Sequence, residues 1–169
     1  MKSFSHRVAL QLDSPCGLMQ LQASARGLFA LRFAHEFDDL PAARASDSGW
    51  RWLQQGVQEL QEYFAGQRQQ FSTALDLQGT PFQQAVWARV AAIPFGASAA
   101  YGAIASQLGR PGAARAVGAA NGDNPLPLFI PCHRVLGVNG ALTGFRGGLP
   151  NKRWLLTHEA QLCGQARLL

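Results

Sequence analysis

The feature that most restricts this chain is one change of hydrophobic pattern, falling between residues 75 and 80. Before it, apolar residues alternate. "VALQL", "LMQLQA" and "LFALRFA" each read as a strand, with turn signals between them at Ser14-Pro15 and Arg26-Gly27. An acidic loop, "HEFDDLPAARASDSG", follows, and its Glu36, Asp38 and Asp39 read as a solvated charge cluster. Leu53, Val57, Leu60 and Phe64 then recur at helical spacing, and Gly66 marks the end of that helix. After the change, Thr80-Pro81 reads as an N-cap followed by proline at the first helical position. That helix runs through "FQQAVWARVAAI", with Phe82, Val86, Val90 and Ile93 on one face. The expectation is an α/β N-terminal domain over residues 1–78, made of a short antiparallel sheet plus a helix. A mainly α-helical domain over residues 79–169 follows it.

Composition removes several classes of function. Of the 169 residues 47% are apolar and 15% charged, the balance of a compact globular chain and not of a disordered one. No stretch reaches the roughly 18 uninterrupted apolar residues of a membrane span. Gln11 and Asp13 interrupt the N-terminal apolar run, so no signal peptide is expected. Three widely spaced cysteines do not form a disulfide framework, which points to reduced thiols and a cytoplasmic location. Cys16, His6 and His35 lack zinc spacing, so no metal is expected.

The net charge of +5 is unevenly spread. Residues 1–78 hold seven Lys/Arg against eight Asp/Glu, whereas residues 79–169 hold eight Lys/Arg against only Asp123 and Glu159. A basic half favours a polyanionic partner such as nucleic acid, because neutralising phosphates releases counterions. Within that half, "YGAIASQLGRPGAARAVGAANGDN" suggests a helix over Tyr101–Leu108, a Gly109–Gly112 turn and a second helix from Ala113. A plain helical hairpin has the same pattern. The second helix is nearly all Ala, Gly and Val, and Arg115 is its main long polar side chain. Reading base edges takes outward Arg, Asn, Gln or Lys, of which this helix offers few. A helix this smooth suits close approach to a nucleic-acid backbone in the minor groove: it would read shape and charge more than sequence, and one arginine could fill the gap left by an extruded nucleotide.

The same half contains "PLFIPCHRVLG". Cys132 here is either a small core residue or a nucleophile, and the local residues leave that choice open. A cysteine nucleophile needs a base, and the base needs an orienting group. His133 is adjacent in sequence, with a bridging water as the means of reaching the thiol. In the closing segment "NKRWLLTHEA", Asn151 reads as an N-cap, and Leu155, Glu159 and Leu162 fall at i, i+4 and i+7. Glu159 therefore lies on an apolar stripe, where a carboxylate requires a partner, and His133 would satisfy it. Asn124-Pro125 forces a turn ahead of the cysteine. "LGVNGALTGFRGG" reads as a hairpin turning at Asn139-Gly140 and leading into a glycine-rich loop over residues 144–148.

"NPLPLFIPCHRV", with "AARAVG" upstream and "KRWLLTHE" downstream, closely resembles the O6-alkylguanine-DNA alkyltransferases, the methylated-DNA–protein-cysteine methyltransferases. The resemblance runs from about Thr80 to Glu159, is more specific there than in the N-terminal half, and points to a stand-alone bacterial member. It implies a winged-helix-like helix-turn-helix in the C-terminal domain and a structural N-terminal domain. It implies that Cys132 accepts the alkyl group from O6 of a flipped guanine in a single-turnover reaction, with O4-alkylthymine as a second candidate substrate. His133 would act through a water, Glu159 would orient His133, and Asn124 would order the active-site turn. Tyr101 would help to rotate the nucleotide and hydrogen-bond the guanine. Arg115 would intercalate, Ala114, Gly118 and Arg110 would meet the DNA, and Arg146, Gly147 and Lys152 would line the base pocket. Neither metal nor organic cofactor is implied. The partner would be duplex DNA bound without sequence preference by a monomer, with cooperative loading left open.

This sequence departs from the family pattern at Arg146, where some relatives have a small residue, and at Gly102, where many have a longer polar one. It shows no counterpart of the zinc ligands of some animal members or of the extra N-terminal domain of adaptive-response regulators, which speaks against a transcriptional role. Two other readings compete. One is a lesion-binding protein without chemistry, against which the cysteine itself argues. The other is a Cys-His-Glu hydrolase, for which no oxyanion hole is recognisable.

Overall fold

The structure, a computed structural model, describes residues 7–164. His6, considered above as a metal ligand, lies outside the described residues. The chain divides into two compact units, Met1–Gln78 and Gly79–Leu169.

In the first unit β1 (Val8–Leu12), β2 (Met19–Ala23) and β3 (Leu28–Phe33) form an antiparallel meander in the order β1-β2-β3. Leu12 lies opposite Met19, and Met19 opposite Phe33. Both edges of the sheet are covered by the unit's own loops. Ala9 donates to the Pro41 carbonyl at 3.0 Å on one side, and Leu28 donates to the Ala74 carbonyl at 2.9 Å on the other.

α1 (Trp50–Phe64) packs on this sheet, with an apolar stripe that differs from the one expected. Leu53 and Leu60 are buried as foreseen, but Gly56 and Tyr63 join them, while Val57 and Phe64 stay half-buried. The cause is close approach: a Cβ on Gly56 would lie 2.8 Å from side-chain atoms of Leu21 and Leu28. Gly56 sets the helix onto the sheet and rotates the buried stripe towards Tyr63.

Strict alternation also fails in β2, where all five residues are buried, Gln20 and Gln22 included. The acidic loop is the reason. Asp38, instead of being merely solvated, closes over the second face of the sheet and accepts from Gln22 Nε2 at 2.8 Å and Arg32 Nε at 3.2 Å. The Gln22 hydrogen bond is the largest influence holding the Asp38 carboxyl below its ordinary range. Two glutamines can be buried because each finds amide or carboxylate partners there.

The second unit comprises α2 (Pro81–Ala91), β4 (Ala99–Ala100), α3 (Tyr101–Gln107), α4 (Ala114–Gly122), β5 (Val135–Leu136) and α5 (Leu149–Leu162). Thr80 caps α2 in a reciprocal capping box with Gln83. Trp87, and not Phe82, shares the buried face of α2 with Val86 and Val90, and its indole donates to the Ala120 carbonyl at 2.8 Å. That bond ties α2 to the C-terminal end of α4. α3 and α4 form the helix-turn-helix, joined through a turn in which Gly109 adopts φ +70°.

Three local expectations need correction. Asn139 (φ 57°) and Gly140 (φ 74°) do form a turn, but only one rung follows it, from Gly137 N–H to the Ala141 carbonyl. β5 pairs instead in parallel with β4, so no hairpin builds up. Asn151 is not an N-cap. α5 begins two residues earlier, after Gly148 (φ 87°) and with Pro150 in its first turn, and Asn151 Nδ2 donates to the Gly147 carbonyl at 2.9 Å. Leu162 is 44% exposed, because the buried stripe of α5 runs through Lys152, Leu155, Glu159 and Ala160 and ends there.

Candidate active site

The chain reaches Cys132 through a tightly clamped turn. Asn124 Nδ2 donates to the Ile130 carbonyl at 2.8 Å, and Asn124 Oδ1 accepts from Leu126 N–H at 3.0 Å. Between these bonds Leu128 is held at φ 76°, a conformation that costs a non-glycine residue on the order of 1–3 kcal/mol and survives only where its surroundings enforce it. The residues just after the turn, Cys132–Arg134, form a single 3-10 turn that is buried throughout. A second amide, Asn121 Nδ2, lies 3.4 Å from the Cys132 carbonyl.

His133 and Glu159 meet as foreseen. His133 Nε2 is 2.7 Å from Glu159 Oε1, and both side chains are 1% exposed. Glu159 is held well below the carboxylate range: burial opposes this, but the hydrogen bonds and charges of His133 and Arg134 outweigh it. An ionised acceptor fixes the tautomer, so Nε2 carries the proton and Nδ1 keeps its lone pair. Nδ1 is buried with no protein partner. Burial also drives His133 towards its neutral form, against the pull of Glu159. Burial pushes the Cys132 thiol up, an effect that hydrogen bonding from Asn124 and the charges of Lys152 and Arg146 partly offset. Burial thus favours the uncharged form of both the thiol and the imidazole.

Lys152 departs from the expected place on a pocket wall. It is wholly buried, and Nζ donates to the carbonyls of Val135 (2.8 Å) and Thr143 (2.7 Å), with Gly144 at 3.4 Å. Its ammonium ties down the start of the 144–148 loop, and that same demand for carbonyls explains why no second hairpin strand forms. Arg146 and Gly147 are half-buried in this loop. Tyr101, the first residue of α3, is half-buried, and its hydroxyl accepts from Thr143 Oγ1 at 3.3 Å. A Cβ on Gly118 would lie 3.7 Å from the Tyr101 ring, so α4 and the ring are in near contact.

Arg115 projects exposed from α4, beside half-buried Ala114. Arg110, in the turn, places its guanidinium 5.5 Å from the Phe82 ring centre. At Gly102 a side chain would meet nothing within 4 Å. A cavity of about 260 Å³ opens beside Gly96, Leu136 and Leu156 and touches Glu159, but Cys132 does not line it. It is therefore not where a substrate meets the thiol. Among the described residues, no three His, Cys, Asp or Glu converge to hold a metal ion.

Residues 81–161 match the DNA-binding domain of 6-O-methylguanine DNA methyltransferase, and residues 10–77 match its ribonuclease-like domain. The chain belongs to the 6-O-methylguanine DNA methyltransferase family. A methylated-DNA–protein-cysteine methyltransferase of Mycolicibacterium paratuberculosis is 44% identical over 152 residues, which cover 88% of this chain and 89% of that one. The homologue from Salmonella typhimurium is 55% identical over 105 residues, 62% of this chain and 61% of its own length. OGT from Mycobacterium tuberculosis, solved in complex with DNA, superposes with a TM-score of 0.82 at 42% identity, covering 90% of this chain and 92% of its own.

Two buried polar contributors within the family's site went unforeseen. Arg134 grips Glu159 with two nitrogens, and Gly96 N–H donates to Glu159 Oε2 at 3.2 Å. A signal for Arg134 was present, since a carboxylate on an apolar stripe has more lone pairs than one imidazole can satisfy. Nothing in the sequence near Gly96 marks its amide as a ligand.

Proposed function

We propose that this chain repairs DNA directly, by moving a methyl or larger alkyl group from O6 of a guanine in duplex DNA to the sulfur of Cys132. The observation that carries this reading is the buried Cys132-His133-Glu159 arrangement, in which Nε2 is committed to Glu159 and Nδ1 faces no protein partner. The proton of Sγ passes through a water to Nδ1, leaving a thiolate beside an imidazolium. The thiolate attacks the alkyl carbon, an S–C bond forms as the C–O bond breaks, and guanine departs with the electron pair on O6. Tyr101 donates a hydrogen bond to the departing base. The thioether resists hydrolysis, so each chain acts once.

Base access requires extrusion of the nucleotide, and α4 supplies the tool. Arg115 enters the stack while Ala114 and Gly118 let the helix lie against the backbone; Arg110 adds a phosphate contact. Residues 79–169 perform both tasks without reading sequence, and residues 1–78 support them structurally. Arg146, Gly147 and the Lys152-anchored loop bound the base. The protein works as a monomer in the cytoplasm, where its thiols stay reduced. No helix among the described residues is long and apolar enough to cross a membrane.

The decisive experiment incubates the protein with duplex DNA carrying O6-methylguanine, measures its intact mass and maps the adduct. One methyl on Cys132, absent in Cys132→Ala, is expected. A protein that binds the lesion but stays unmodified would falsify the transfer and favour a lesion-flagging role. A second expectation concerns Arg115→Ala, which should slow repair of duplex DNA by about 10-fold or more while leaving reaction with O6-benzylguanine as free base unchanged. Equal losses on both substrates would remove the intercalating role.

A further inference from the structure

Glu159 is shared between a guanidinium and an imidazole. Arg134 Nε donates to Oε2 and Nη2 to Oε1, both at 2.9 Å, and Nη1 donates to the Ile93 carbonyl at 2.7 Å. His133 Nε2 competes for the same Oε1 at 2.7 Å. The Arg134 side chain is 6% exposed, so solvent does little to relieve any imbalance of charge here. The guanidinium is fixed on both sides, by the carbonyl at the end of the α2 segment and by the Phe95 ring 5.6 Å away.

We propose that Arg134 is a positioning residue for the transfer: it neutralises Glu159, so that His133 rests uncharged with Nδ1 open to the Cys132 proton. This rests on the proposed role of His133 as the base. The charged and titratable groups acting on His133 are Glu159 and Lys152 from α5 and Arg134 beside it, with Cys132 its neighbour in sequence. Without Arg134, Glu159 would lose its bidentate guanidinium, and the imidazole against its Oε1 would be drawn more strongly towards protonation. An imidazolium carries protons on both nitrogens and accepts none. With Arg134 in place, the carboxylate can orient Nε2–H without trapping a proton on the ring. When Sγ later gives up its proton, thiolate and imidazolium appear together and the net charge of the site is unchanged. Lys152 opposes protonation of His133 in the same sense, while its ammonium holds the carbonyls of Val135 and Thr143.

The test follows the His133 ring nitrogens by NMR across neutral and mildly acidic pH, in wild type, Arg134→Gln and Arg134→Lys. Alkylation of Cys132 by iodoacetamide without DNA, and methyl transfer from O6-methylguanine DNA, are measured over the same range. Wild-type His133 is expected to stay neutral, protonated on Nε2, to below its ordinary value of about 6.5. In Arg134→Gln the titration should move up by about one pH unit or more, and the acid limb of transfer with it, slowing the reaction about tenfold at the acid end. Arg134→Lys should restore most of the profile. An unshifted titration in Arg134→Gln, whatever its rate or melting temperature, overturns the proposal, as does a wild-type His133 already charged at neutral pH. The second observation decides the matter even if Arg134→Gln does not fold. If wild type transfers no methyl but the His133 titration shifts as described, the proposed function falls while the placing of Arg134 stands.

Discussion

Glu159→Ala is expected to destabilise the C-terminal unit by about 3–5 kcal/mol and to abolish measurable transfer to Cys132. The first effect comes from what remains. Arg134, His133 and the Gly96 amide all donate to this carboxylate, and without it a buried guanidinium keeps the Ile93 carbonyl and the Phe95 ring but no counter-charge in contact among the described residues. A loss of that size is a large share of the 5–15 kcal/mol that a domain typically possesses. Glu159→Gln keeps an acceptor for His133 and should recover part of the stability. Denaturant midpoints followed by hydrogen exchange along α5 separate the two variants. A Glu159→Ala protein as stable as wild type would mean that the buried pair contributes nothing.

The pH dependence follows from the same group. The folded value of Glu159 lies well below its ordinary 4.5, so its contribution is complete above that pH and is lost as pH falls further. His133 is depressed below its ordinary 6.5, so the unfolded chain takes up a proton first and stability begins to fall below that point. Protection of α5 should therefore decline in two stages on acidification. Glu159→Ala should lose the lower one.

Lys152→Met is expected to slow methyl transfer by about 100-fold, the usual cost of a reacting partner misplaced by an ångström or so. The substitution fills much of the same volume but leaves the carbonyls of Val135 and Thr143 without their donor, each unsatisfied group costing about 1–3 kcal/mol. The loop that starts at Thr143 is freed, and the Cys132 thiol loses a nearby positive charge that eases its ionisation. Iodoacetamide reactivity of Cys132 should shift to higher pH in parallel. Normal transfer with an unmoved thiol profile would show that Lys152 serves the fold alone.

The C-terminal site was legible in the sequence where chemistry leaves few choices. A cysteine between proline and histidine and a glutamate on an apolar stripe led directly to the 2.7 Å contact between His133 and Glu159. The Thr80 N-cap and the helix-turn-helix were readable because Thr80, Pro81 and Gly109 have strong local preferences. What escaped depends on contacts between distant segments. The α1 stripe rotated because Gly56 admits the sheet, a fact about Leu21 and Leu28 and not about the helix. The Asn139-Gly140 turn formed without its hairpin because Lys152, on a later helix, claims the carbonyls nearby. Arg134 drew no expectation, because its partners Glu159 and the Ile93 carbonyl lie far from it in sequence.

The burial of Cys132 bears on how such a protein keeps between synthesis and use. On the proposed chemistry each chain acts once, so a thiol oxidised by chance is a repair that never happens. Cys132 is 5% exposed and its thiol is pushed up by burial, so little of the reactive thiolate stands ready for stray peroxide or electrophiles. Cys163, at the end of α5, is exposed and meets such reagents first. The sheltered thiol thus suits a protein whose proposed reaction can be run only once.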